Sequence, residues 1–338
     1  MTRTAIGPTA FVRIDHHSAV QLAADVARSC AEQCRLPGAM PDQAAVIASE
    51  LASNLAKHAK DGALYVQPFR LGAGLEILTA DRGPGMSELQ RCLTDGYTTT
   101  GTLGAGLGAV SRIATDLIIR TEAGVGTLVS ARLALPGQPY PGQDVGFLCL
   151  AAEGEQECGD TGAIVENDRI RTAIVVDGLG LGHGPQAAEV AQIALRAFHS
   201  AADQPLPQLM AVLHRALRHS RGAAVGILRL STDQAQYCGI GNVRALAFSP
   251  RGVGHRLTGQ PGIVGWKMPT PQTHSIPLTP HTAAVLHSDG INAIWAHSPS
   301  PSMLRLPPPL LTVALAHGHR SGRDDATVLA VRAHQESR

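Results

Sequence analysis

Apolar residues recur at helical spacing through much of the first 135 positions and at strand spacing through most of the rest. After a short strand at 11–14, Val20, Ala23, Ala24, Ala27, Ala31 and Cys34 mark a helix over 17–34. A break with two prolines at 36–41 precedes a second helix at 42–59, whose apolar stripe is Ile47, Leu51 and Leu55. Beside that stripe Glu50, Asn54 and Lys57 or His58 share a polar face, which must look onto water or a cleft. Strands at 63–69 and 74–80 read as a hairpin, followed by a helix at 109–116 and paired strands at 117–121 and 127–133. One helical layer on a mixed sheet satisfies this order.

PGQPYPG, at 136–142, reads as a linker. It divides the chain into units at 1–136 and 143–338, with 137–142 between them. The second unit is β-rich, with apolar runs at 145–150, 163–167, 171–176, 222–230, 235–239, 243–248 and 283–288. Helical periodicity returns at 186–200 and 206–219, which predicts a sandwich with helical flanks. The proline-rich stretch 299–309 reads as a surface loop.

Composition narrows the function. A length of 338 residues suits two domains, and a net charge of +1 leaves no electrostatic footprint for nucleic acid. Cys30, Cys34, Cys92, Cys149, Cys158 and Cys238 show no CxxC spacing and read as reduced residues of a cytoplasmic protein. No stretch is apolar enough for a signal peptide or a membrane span, so no membrane partner is expected.

The chemistry of the first half concentrates in LTADRGPGMSELQRCLTDGYTTTGTLGAGLG, residues 78–108. Gly83 and Gly85 remove Cβ atoms where backbone approaches a ligand, and Gly101, Gly104, Gly106 and Gly108 form a second cradle for phosphates. Asp81, an acid, belongs on a base rather than on phosphates. Glu50 and Asn54, then DRGPG, then GTLGAGLG, then Gly126 and Thr127 resemble in order the N, G1 and G2 boxes of the GHKL ATPase and kinase fold. LTDGYTTTGTLGAGLGAVSRIATD is similar to the serine kinases of bacterial sigma-factor partner switching, of the RsbT type more than the RsbW type. The resemblance implies an ATP site with Mg²⁺ on Asn54, adenine on Asp81, lid glycines over the phosphates, Thr127 in the last box, and Glu50 as general base for a substrate serine.

A second constellation comprises Asp160, Asp177, Asp289, Asp324 and Asp325, each read as sitting just past an apolar run. Gathered at about 4 Å, such charges repel by about 4 kcal/mol per pair at an effective dielectric of 20. A cluster of this kind persists around Mg²⁺ or Mn²⁺, and two such ions would activate water against a phosphoester. In this spacing, and with LMAVLHRALRHSRGAAVGILRL followed by YCGIGNVRALAF, the half resembles the metal-dependent PPM phosphatases of the SpoIIE and RsbX branch. The resemblance implies Asp177 bridging two ions, the Gly178 carbonyl and Asp160 on one, and Asp289 with Asp324 on the other. His183 stands where the family often faces phosphate, and a packing histidine is the equal alternative. Asp160 is followed by Thr161 and Gly162 where relatives often carry an aromatic residue.

Other chemistries do not fit. The glycines at 178, 180, 182 and 184 are not spaced as a dinucleotide fingerprint, and no G-x-S-x-G elbow is present. The expected fold is α+β: a GHKL (Bergerat) α/β sandwich, then a PPM-type α/β/β/α sandwich. The resemblance implies a bifunctional protein that phosphorylates serine or threonine on STAS-domain proteins (RsbS/RsbR-like) with ATP and removes that phosphate again in bacterial stress signalling. A downstream phosphatase or anti-sigma regulator is a further expected partner. The alternative makes the first unit an ATP-sensing, partner-binding module beside a phosphatase that is the sole enzyme.

Overall fold

The structure is a computed structural model that describes residues 7–86, 106–138, 140, 142–178, 184–279 and 281–333. The chain divides into two compact units, one spanning Thr9–Gly142 and the other built on Gln143–Arg338.

In the first unit the order is β1 (Ala10–Ile14), α1 (Ala19–Gln33), α2 (Met40–His58), β2 (Gly62–Pro68), β3 (Gly74–Ala80), α3 (Gly106–Ile113), β4 (Asp116–Glu122) and β5 (Gly126–Ala134). The sheet runs β1-β2-β3-β5-β4, and every neighbouring pair is antiparallel rather than mixed. The two-helix connection between β1 and β2 returns the chain antiparallel, and the remaining pairs follow as hairpins or neighbours. Ala23, Ala27 and Ala31 of α1 let it lie close on α2, whose Ile47, Leu51 and Leu55 meet Leu64, Val66, Leu75 and Ile77 of the sheet. Each such Leu or Ile contributes about 1.5–3 kcal/mol on burial.

Strand alternation turns Glu76 to the other face of β3. There its carboxylate accepts from Arg132 Nε at 2.6 Å, Ser130 Oγ at 2.9 Å and Gln67 Nε2 at 3.1 Å. Arg132 also donates to the Gly142 carbonyl and stands over the Phe69 and Tyr140 rings. The Tyr140 hydroxyl donates to Asp116 at 2.9 Å. The end of the proline-rich connection is therefore held on the first unit.

The second unit contains β6 (Val145–Leu150), β7 (Asp160–Asn167), β8 (Ile170–Gly178), α4 (Pro185–Ala201), α5 (Leu206–Ala216), β9 (Ala223–Leu230), β10 (Gln234–Ile240), β11 (Arg244–Ser249), β12 (Gly252–Thr258), β13 (His274–Pro277), β14 (Ala283–His287), α6 (Pro308–His319) and β15 (Ala326–Arg332). Two antiparallel five-stranded sheets form, ordered β13-β10-β9-β8-β7 and β12-β11-β14-β15-β6. Val190, Ala194 and Phe198 of α4 and Leu209, Met210 and Leu213 of α5 pack on Ile174, Val176, Val225 and Ile227 of the first sheet.

The reading of 299–309 as a surface loop is overturned. Leu304 and Leu306 are buried, and Pro308 and Pro309 open α6, where the first turn has no use for their missing N–H groups. Gly146 of β6 accommodates this approach, since a Cβ there would lie 2.1 Å from the Pro308 carbonyl oxygen.

Candidate functional site

In the first unit β3 ends at Ala80, and the next residue, Asp81, turns the chain. Its Oδ1 accepts the Gly83 N–H at 2.6 Å, and its own N–H donates to the Thr127 carbonyl at 3.1 Å. Burial pushes the Asp81 carboxyl up from its ordinary value, opposed by the backbone N–H groups of Gly83 and Thr127. The turn threads between the end of α2 and the β4–β5 hairpin. A Cβ on Gly83 would meet the His58 carbonyl at 3.0 Å, one on Gly85 the Glu122 carbonyl at 2.8 Å, and one on Gly126 the Asp81 carbonyl at 1.9 Å. These contacts give the glycines a packing reason of their own beside the ligand reason read from the sequence.

Asn54 lies one turn, about 6 Å, before the end of α2, and Glu50 about 6 Å further back. Both are half-buried beside the fully buried stripe of Ile47, Leu51 and Leu55. α3 packs on the same helix through Leu107 and Val110, bringing the buried Gly108 and the half-buried Gly106 with it. Gly106 has φ +55° and open space where a Cβ would be. The buried Thr127 Oγ1 pairs with Thr121 Oγ1 at 3.1 Å, and Thr121 Oγ1 accepts the Met86 N–H at 2.7 Å. Gly101, Gly104 and the DGYTTTG run lie outside the described residues, as does Cys92.

In the second unit Asp160 opens β7 and stands directly opposite Asp177 near the end of β8. Opposed residues of an antiparallel pair project to one face. Asp324 and Asp325 precede β15, and Asp289 follows β14, the strand paired with it. Asp160, Asp324 and Asp325 therefore stand before strands, and only Asp177 and Asp289 come at strand ends as read from the sequence. β15 was missing from that reading, so the acids before it were assigned to the wrong end of a run.

The carboxylates act on one another. Burial and then Asp289 push the Asp177 carboxyl up to about 7, with Asp324 and Asp325 adding to the rise and a hydrogen bond from Asn242 opposing it. Asp160 lies well above the usual range because it is buried and because Asp177 stands beside it. Asn242 Nδ2 also donates to Asp289 Oδ2 at 2.7 Å. Asp325 caps two backbone N–H groups, Ala152 at 2.8 Å and Gly159 at 2.7 Å. Ser288 donates to Asp160 Oδ2 at 2.5 Å and accepts the Thr327 N–H at 2.9 Å, joining the two sheets at the cluster. The Gly178 N–H donates to the Gly159 carbonyl at 3.0 Å, which leaves the Gly178 carbonyl as its remaining polar group. His183, Gly180 and Gly182 lie outside the described residues.

Among the described residues no three His, Cys, Asp or Glu side chains are gathered as a closed metal-holding set. The donor chemistry nonetheless suits a hard cation, because the acids of the cluster offer carboxylate oxygens and a dication would offset the repulsion that raises Asp177. Sequence reasoning missed Ser288 and Asn242. Ser288 sits in LHSDG beside the more conspicuous aspartate, and Asn242 in GIGNVR carries no charge to attract notice. It also missed that the reduced thiols of Cys149 and Cys158 meet at 3.5 Å.

Residues 15–133 match the family described as the histidine kinase-like ATPase domain, and residues 171–334 match stage II sporulation protein E (SpoIIE). The chain is 36% identical over 85 residues to the serine/threonine-protein kinase RsbT of Bacillus subtilis (strain 168), covering 25% of this chain and 64% of that protein. It is 28% identical over 145 residues to the phosphoserine phosphatase RsbX of the same strain, covering 42% of this chain and 72% of that protein. A solved chain described as "The bacterial stressosome: a modular system that has been adapted to control secondary messenger signaling" superposes with a TM-score of 0.51 at 28% identity, over 56% of this chain and 98% of its own. The chain thus joins a GHKL-type ATPase domain to a PPM-type phosphatase domain.

Proposed function

We propose that this chain both adds and removes phosphate on serine or threonine of STAS-domain proteins in a bacterial partner switch. The observation that carries the reading is the placement of acids from separate stretches of sequence: Asp160 opposite Asp177 across β7 and β8, Asp289 hydrogen-bonded to Asn242 after β14, and Asp324 and Asp325 before β15, the strand paired with β14. Similarity to a serine/threonine-protein kinase in one half and a phosphoserine phosphatase in the other supports the pairing of activities.

In the phosphatase half, Asp160, Asp177, Asp289, Asp324 and the Gly178 carbonyl would hold Mg²⁺ or Mn²⁺. Bound there, the cations supply Lewis-acid activation of water and neutralise phosphoryl charge. The chain's own contribution is positioning: Ser288 fixes Asp160, Asn242 orients Asp289 and Asp177, and Asp325 closes the backbone between β6 and β7. In the kinase half, Asp81 would accept the amino group of adenine, and Asn54 would hold Mg²⁺ beside the phosphates. Gly83, Gly85, Gly104, Gly106, Gly108 and Thr127 would surround the nucleotide, and Glu50 would accept the serine proton. Catalysis in this half rests on orientation and charge neutralisation.

The test is incubation with γ-labelled ATP, Mg²⁺ or Mn²⁺ and a STAS-domain protein, comparing wild type, Asp177→Asn and Glu50→Ala. Label that accumulates with Asp177→Asn and disappears when Glu50→Ala is added supports both activities on one site. Absence of label in every case, with pre-phosphorylated protein still cleaned by wild type, reduces the first unit to an ATP-sensing binding module.

A further inference from the structure

The stretch 204–288 carries eight Lys or Arg residues and a single acid, Asp233, within a chain whose net charge is only +1. Among its described residues the most exposed large apolar side chain is Trp266, 75% exposed, at the tip of a turn after β12. The turn is clasped: the Ile263 N–H donates to the Lys267 carbonyl at 2.8 Å and the Trp266 N–H to the Ile263 carbonyl at 3.2 Å. The last turn of α5 and the residue after it lie against it. Gly265 donates to His214 Nδ1 at 3.0 Å, has φ +98°, and approaches Leu217 so closely that a Cβ would sit 2.7 Å from the Leu217 carbonyl. Burial and the charge of Arg218 lower the pKa of His214, favouring the neutral ring that accepts this bond. Arg215, Arg218, Arg221 and Lys267 are exposed around the turn and make no ion pair among the described residues. Gly262, Ile263, Trp266 and Lys267 line a recess of about 540 Å³.

The turn stands close to the carboxylates. Gly178 is in register with Ala223, and Ala223 exchanges two backbone hydrogen bonds with Val264, both 2.9 Å. Two strand spacings of about 4.8 Å each therefore separate Gly178 from the turn. The Gly241 N–H, one residue before Asn242, donates to the Gln260 carbonyl at 2.9 Å and ties the Asn242 loop to the same segment.

We infer that the Trp266 turn and its basic rim dock an acidic, partly apolar face of the phosphoserine protein and present its phosphate to the neighbouring carboxylate site. The inference rests on the phosphatase reading and adds to it what selects the substrate. A rigid, exposed tryptophan supplies contact area at small entropic cost, and an unpaired basic rim steers an acidic partner. The apolar recess beside the charges favours a protein over a nucleic acid, whose backbone would use the charges alone.

The experiment uses the full chain with Mn²⁺, two phosphoserine peptides of equal length, one with Asp/Glu flanks and one with Lys flanks, and p-nitrophenyl phosphate. The acid-flanked peptide is expected to be preferred, and Trp266→Ala or Arg218→Glu/Lys267→Glu to lower its kcat/KM by about tenfold while p-nitrophenyl phosphate changes by less than about twofold. Equal rates on the two peptides, or equal loss on both substrate kinds, overturn the inference. So does saturable binding of duplex DNA that the same variants abolish when the peptide preference is absent. If wild type does not hydrolyse p-nitrophenyl phosphate at all, the phosphatase reading fails. Docking is then judged by fluorescence in EDTA, where the acid-flanked peptide should shift wild-type emission saturably but not that of Trp266→Phe. An unshifted wild-type emission overturns the docking as well.

Discussion

Asp177 meets two opposing demands, and the conflict is measurable. Its folded value of about 7 lies above the 3.8 of a free carboxyl, so its charge opposes folding fully above pH 7, and the penalty fades as pH falls toward 4. The difference corresponds to at most about 4 kcal/mol. In EDTA at pH 8, Asp177→Asn is expected to raise the melting temperature of the second unit and to flatten its rise toward acid, and in a separate assay with Mn²⁺ it is expected to abolish the phosphate release that wild type shows. A lower melting temperature would mean the carboxylate stabilises the metal-free fold. Ser288→Ala removes the donor from a buried carboxylate and should cost about 1–3 kcal/mol, with phosphatase kcat falling more than KM changes. At this scale Asp160, Asp177 and Asp289 draw notice in the sequence because each stands beside a glycine, whereas Ser288 and Asn242 gain their meaning only when β14 and β10 bring them to the acids. Gly83 and Gly85 could be read as ligand-facing, since no spacing reveals that the His58 and Glu122 carbonyls lie behind them.

Among elements, the hairpin of β4 and β5 supports the Asp81 turn from behind. Gly126 has φ +140° and lies against the Asp81 carbonyl, so Gly126→Ala must displace the turn. The variant is expected to lose about 2 kcal/mol or more and to weaken nucleotide binding at least as strongly, read by denaturant melts and a fluorescent ATP analogue. The Glu76–Arg132 pair is buried, with side-chain exposures of 4% and 3%. Glu76→Ala alone should cost about 3–5 kcal/mol by leaving the guanidinium unmatched, and Glu76→Leu with Arg132→Met distinctly less. α2 was legible because one face is apolar and the next is not. α6 was not, because Pro308–His319 is buried nearly all round and so shows no stripe, and three prolines precede its first leucine. β12, half exposed at an edge, and β13, four residues long, offered too little alternation to be seen.

The molecule as a whole consists of two units that each own a core. Calorimetry is expected to show two transitions, with ATP and Mg²⁺ raising one and Mn²⁺ alone raising the other by several degrees at saturating ligand. A single transition that moves with both ligands would contradict independent cores. The proline-rich connection reads as a linker in the sequence, but how it is held does not show there. Arg132 grips the Gly142 carbonyl in the first unit, and Asp144 is bound by Arg171 and by the Arg332 N–H in the second. Both units belong to one chain, so the opposed activities proposed here are locked at one copy each. Under conditions where neither activity is saturated, the amount of this protein then cancels from the steady state. Raising its expression would hasten the approach to a given degree of phosphorylation without changing it, and the set point would follow ATP, metal and the state of the partner.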